Sequence, residues 1–145
     1  MKISILASLA LAAVLSSPVK AGDASVVYDF DGSFDDATFA VESAILGRGL
    51  VIDYVSHTGD MLNRTGQDVG SDVVLFDAAD IYVFCSAVVS RAVMEADPMN
   101  IAHCPYGIFV AEREGRVMVG YRTYPEGPMQ QVQNLLDAIA VEAVE

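Results

Sequence analysis

The run "ASVVYDF" (24–30) is rich in β-branched and aromatic residues and closes on "DGSF", which reads as a first strand. Ser33 with Asp36 three residues on is a capping-box pattern. Phe34, Thr38, Val41 and Ile45 then recur at helical spacing until Gly47 and Gly49 stop the run, predicting a helix over about 34–47. "LVIDYV" (50–55) is a second strand. The polar stretch "SHTGDMLNRTGQDVG" follows, in which Met61 and Leu62 suggest one or two helical turns. "ADIYVFC" (79–85) reads as a third strand. A helix over about 87–96 carries Val88, Val89, Ala92, Val93 and Ala96 on its apolar side and ends at Asp97-Pro98. Two alternating apolar runs within "YGIFVAEREGRVMVGYRTY" (106–124) meet at Glu114-Gly115, which predicts a β-hairpin. A last helix begins at about Pro128, with Met129, Val132, Leu135, Leu136 and Ile139 as its apolar stripe. Gln130, Gln131, Gln133, Asn134 and Asp137 form its expected wet face.

The resulting order, β-α-β-β-α-β-β-α, predicts an α+β two-layer sandwich with helices on a largely antiparallel sheet. Ahead of it, "MKISILASLALAAVLSSPVKAGD" has a positive start, an apolar centre and a small-residue end at Val19 and Ala21. That is the pattern of a cleaved secretory signal peptide over 1–21, too short to cross a bilayer as an anchor. Residues 22–145 are then one exported domain, periplasmic or secreted.

Removing the leader removes both lysines, Lys2 and Lys20, and leaves six arginines against 20 carboxylates in a chain whose formal charge is already −12. Nucleic acid and anionic membrane surfaces are poor partners for such a chain, because both are bound by clustered Lys and Arg. A lysine-free mature chain also excludes Schiff-base chemistry and the phosphate-loop lysine. No G-x-S-x-G, H-E-x-x-H or glycine-rich phosphate loop is present. Asp35 and Asp36 read as the negative first turn of a helix, and Glu112-Arg113-Glu114 as a solvated hairpin end. Tyr106, Tyr121 and Tyr124 with Arg122 suit a pocket, a dimer face or simply one face of the hairpin.

Cys85 and Cys104 are the only cysteines. In an oxidising compartment a lone pair in one small domain is expected to form a disulfide. The closed loop of about 20 residues would contribute roughly 3 kcal/mol through the unfolded chain. A thiol-redox centre is the alternative: there is no C-x-x-C motif, but Cys85 stands at a strand-to-helix junction where Ser86 caps and the helix start favours a thiolate. Cys104, His103 and Met99 are soft candidate ligands for cuprous copper. Met94 suits core filling, and His57 in the polar loop reads as a solvated histidine. Zinc needs four ligands, and two cysteines and two histidines on distant segments make a weak set. The sequence requires no cofactor.

The helix "SFDDATFAVESAILGRGL", the strand ending at Phe84, the "ADP" helix end, "CPYGIFVAER" and "VMVGYRTYP" together resemble the bacterial "domain of unknown function 302" family, over about Asp29 to Pro125. "DMLNRTGQDVG" and the cysteine segment resemble its exported members. The resemblance implies a small α+β domain and, for some members, a homodimer, with no agreed activity, substrate or cofactor. Many members carry a small residue or an asparagine-proline turn where Cys85 and Ser86 stand, so the cysteine pair belongs to the compartment or to a function. The reading is an exported binding or interaction module for a small ligand or protein partner, more than an enzyme. The alternative is a thiol-redox or copper-handling protein of the cell envelope.

Overall fold

The computed structural model describes residues 24–145, so the expected leader 1–21 and its expected cleavage before Gly22 lie outside the described residues. Strand β1 (Ser25–Phe30) leads to helix α1 (Phe34–Gly47), then β2 (Val51–Ser56), α2 (Thr58–Thr65), β3 (Ala78–Cys85), α3 (Ala87–Ala96), β4 (Tyr106–Arg113), β5 (Arg116–Arg122) and α4 (Gln130–Val144). Short 3-10 segments stand at Gln67–Val69 and Pro98–His103. The order is the expected one, with α2 as an addition: the helical turns around Met61 and Leu62 extend to eight residues.

Local chemistry sets the element ends. The Ser33 hydroxyl accepts from the Asp36 N–H at 3.1 Å, and the Asp36 carboxylate accepts from the Ser33 N–H at 3.2 Å. This closes the capping box that starts α1, and the bonds from Ser33 hold the Asp36 carboxyl below its ordinary pKa. Ser86 starts α3 in the same way, accepting from the Val89 N–H at 3.3 Å. Between β4 and β5, Glu114 and Gly115 both adopt positive φ, 54° and 74°, the two-residue turn whose twist matches that of a hairpin. Pro128 does not open α4 as expected. It lies in a turn where Gln130 and Gln131 donate to the carbonyls of Gly127 and Pro128, and this tight i→i−3 winding delays regular helix to Gln130.

All five strands pair antiparallel, in the order β1-β5-β4-β3-β2. Helices α1 and α4 lie side by side on one face, and α3 packs against α4. Strand alternation sends Tyr82 and Phe84 of β3, Ile108 and Val110 of β4, and Val119 and Tyr121 of β5 to that face. They meet Val41, Ile45, Val132, Leu136 and Ile139 there. Each such residue, fully buried, contributes about 1.5–3 kcal/mol. The result is an α+β sandwich of one helical layer on one antiparallel sheet.

Two helix faces differ from expectation. On α3 only Val93 is fully buried, with Val89 and Met94 partly so, while Val88 is 81% exposed and Ala92 and Ala96 face solvent. Of the expected α4 stripe, Met129, Val132, Leu136 and Ile139 are buried and Leu135 partly so, but Asp137, Gln133 and Gln130 are not a wet face. Asp137 accepts from two tyrosines, Gln133 from the Tyr124 N–H at 2.8 Å, and Gln130 donates to the Tyr124 carbonyl at 3.0 Å. Polar groups of the sheet edge and the 123–128 turn reach these positions, so their side chains are satisfied by protein. Among the described residues no helix is long and apolar enough to cross a membrane.

Candidate functional site

The sheet face away from the helices carries a cleft of about 350 Å³. Its floor is Gly107, which the register sets opposite Val83, with Phe109 beside it opposite Ile81. A Cβ at Gly107 would stand 3.3 Å from Ile81 Cγ2, so the absent side chain is what leaves the space. Phe109 lies opposite Gly120, and its ring covers the place a Cβ there would take. A bulge between Ile52 and Tyr54 brings Tyr54 opposite Val83, adding an aromatic wall that is 57% exposed. Pro105, Tyr106 and Arg122 complete the lining.

Arg122 is held in place by its neighbours. Its Nη2 donates to the His103 carbonyl at 2.7 Å and its Nε to the Tyr124 hydroxyl at 3.3 Å, with the guanidinium carbon 5.1 Å from the Tyr124 ring centroid. Tyr124 is itself buried, edge-on to Tyr106 and His103.

Just beyond the cleft, Cys85 Sγ and Cys104 Sγ stand 2.9 Å apart. A bonded pair lies at roughly 2.0 Å, and both residues are free thiols here, so the expected disulfide is not a bond of this structure. The expectation that the start of α3 would favour a Cys85 thiolate is also corrected. Burial pushes the Cys85 thiol up to about 11, and its hydrogen bond with Cys104 adds to the rise.

The family model described as "Domain of unknown function DUF302" matches residues 26–145. The chain belongs to this family. No curated protein sequence matches it. A crystal structure described as an uncharacterized conserved DUF302 protein from Bacillus stearothermophilus is similar to it, with a TM-score of 0.65 at 13% identity over 82% of this chain and 97% of that one. At that identity the likeness is one of fold.

The remaining sequence candidates of this DUF302 chain scatter. His103 gives its carbonyl to Arg122 and its ring to Tyr124, and Met99 is 70% exposed on the 3-10 segment. Among the described residues no three His, Cys, Asp or Glu side chains form a group able to hold a metal ion. His57 is solvated, as expected, but its Nδ1 meets Asp80 Oδ1 at 2.7 Å. Of the hairpin residues expected at a pocket, Tyr106 and Arg122 do line the cleft, Tyr106 also bonding Ser90 at 2.9 Å, whereas Tyr121 bonds Asp137 in the core. Sequence reasoning missed Tyr54, Ile81, Val83, Gly107 and Phe109. The available signal was glycine inside both hairpin strands, at 107 and 120, where a strand interior ordinarily avoids it.

Proposed function

We propose that this DUF302 protein is an exported binding module that seats a small, largely apolar ligand on the sheet face away from the helices. The observation that carries the reading is the Gly107-floored cleft, whose walls are aromatic and aliphatic. Val51, Tyr54, Ile81, Val83 and Phe109 form an apolar strip on a face that solvated antiparallel sheets usually make polar. Concave, mostly apolar sites with a few placed polar groups are the usual form of small-molecule pockets. The family membership carries no activity and leaves this reading to the geometry. Amide NMR of the full chain against a set of small apolar fragments tests it. Shifts gathered around Tyr54, Val83, Gly107 and Phe109 are expected. Shifts elsewhere, or none, overturn it.

A second reading, thiol or copper chemistry, has one observation in its favour: the two thiols are in contact. The raised Cys85 pKa weighs against Cys85 as a redox nucleophile, since the thiolate is the reactive form. We therefore read the pair as a structural bridge that forms on export.

A further inference from the structure

We infer that Arg122 makes the cleft selective for a small carboxylate with a flat apolar body. The inference rests on the reading of the cleft as a ligand site and names the ligand class.

The arginines of the chain are not used alike. The described residues hold six of them against a large excess of carboxylates, and four are ion-paired: Arg48 with Glu142, Arg91 with Glu95, Arg113 with Glu114 and Arg116 with Asp29. Arg64 stands in the last turn of α2, where the helix dipole favours a cation. Arg122 is different. Among the described residues it has no carboxylate partner, yet it is positioned by three uncharged contacts, the His103 carbonyl, the Tyr124 hydroxyl and the Tyr124 ring. Neutral partners orient a guanidinium without cancelling its charge. The contacts to Nε and Nη2 also leave donors of the five-hydrogen fork for a planar anion.

The rest of the cleft sets the class of anion. Tyr54, Val83 and Phe109 offer apolar walls, and a space of about 350 Å³ is at the lower end of small-molecule sites, room for one or two rings. A chain of net charge −12 repels a dianion more than a monoanion, so a phosphate ester gains less than a carboxylate whose apolar body is also buried.

Calorimetry of the full chain with naphthoate and with its uncharged amide tests this. Naphthoate is expected to bind about tenfold tighter, the scale of one charge-assisted, two-pronged contact. Arg122→Gln should bring the acid down to the amide while leaving amide binding within about twofold, which also shows that the cleft is intact. Arg122→Lys should retain part of the preference. Equal binding of acid and amide to the unaltered chain, or a preference that survives Arg122→Gln, overturns the carboxylate inference and leaves the cleft reading standing. Binding of neither probe removes both.

Discussion

Asp137 ties three elements together through one carboxylate oxygen, accepting from the Tyr28 hydroxyl of β1 at 2.6 Å and the Tyr121 hydroxyl of β5 at 2.5 Å. Removing that acceptor by Asp137→Ala takes the shared carboxylate from both phenols and is expected to cost about 1–3 kcal/mol in denaturant unfolding. In a Tyr28→Phe, Tyr121→Phe background the same change should cost much less, and an equal cost would show that the carboxylate acts elsewhere. The network also has a pH signature. Burial first, and the bond to Asp137 second, push Tyr28 from 10.0 to about 12 and Tyr121 higher still. A phenol with a raised folded pKa stabilises the fold while it is neutral. That contribution is complete below pH 10 and is lost as pH rises through the folded value. In the reduced form Cys85, raised from 9.0 to about 11, acts with the same sign from a lower start. Stability of the reduced form is therefore expected to fall from about pH 9 upward, and that of the bridged form from about pH 10, in each case less steeply in the double phenylalanine variant. An unchanged slope in that variant would contradict the assignment. None of this was visible in the sequence, where Asp137 occupies a polar position and periodicity assigns such a position to water.

At the scale of elements, periodicity was informative wherever a helix buries a wide stripe. Met129, Val132, Leu136 and Ile139 are all buried, and Leu136→Ala is expected to cost about 2–5 kcal/mol, read by denaturant unfolding. A loss below about half a kilocalorie would place that stripe outside the core. Helix α3 shows where the signal fails. Valines and alanines count alike as apolar in a pattern, but burial needs a neighbouring surface, and α3 meets only enough of one to cover Val93 and parts of Val89 and Met94. The strands were legible in position, because alternation and the Glu114-Gly115 turn fix them. The cleft was not, because it depends on which strands are neighbours. Val83, Gly107 and Tyr54 come together only through the β2-β3-β4 register and the bulge at Ile52/Tyr54, and no local window holds that information.

For the whole molecule, topology answers what loop length left open about the cysteines. β3 and β4 pair so that Phe84 faces Tyr106, and Cys85 and Cys104 flank that last rung, one leaving β3 and the other approaching β4. Antiparallel neighbours must bring such positions together, which is why the sulfurs touch across 19 residues of sequence. In an oxidising compartment the pair is expected to bond by exchange with a disulfide oxidant. One thiolate attacks it and expels a thiol, the second cysteine attacks the mixed disulfide, and two electrons and two protons leave with the reduced oxidant. The raised Cys85 pKa keeps that sulfur protonated at neutral pH and makes it the poorer first attacker. Protein recovered from export should then begin at or near Gly22, lack two hydrogens relative to the reduced mass and show no free thiol. Replacing both cysteines by alanine should lower the stability of the oxidised form by about 2–4 kcal/mol, with naphthoate binding unchanged. Cuprous ion should bind only after reduction, since a bridged pair offers no thiolate. Two free thiols in exported protein, persisting in oxidised glutathione, would sink the bridge and move copper or thiol chemistry ahead of it, because the same contact that invites a bond would then be kept open in a compartment that closes such pairs.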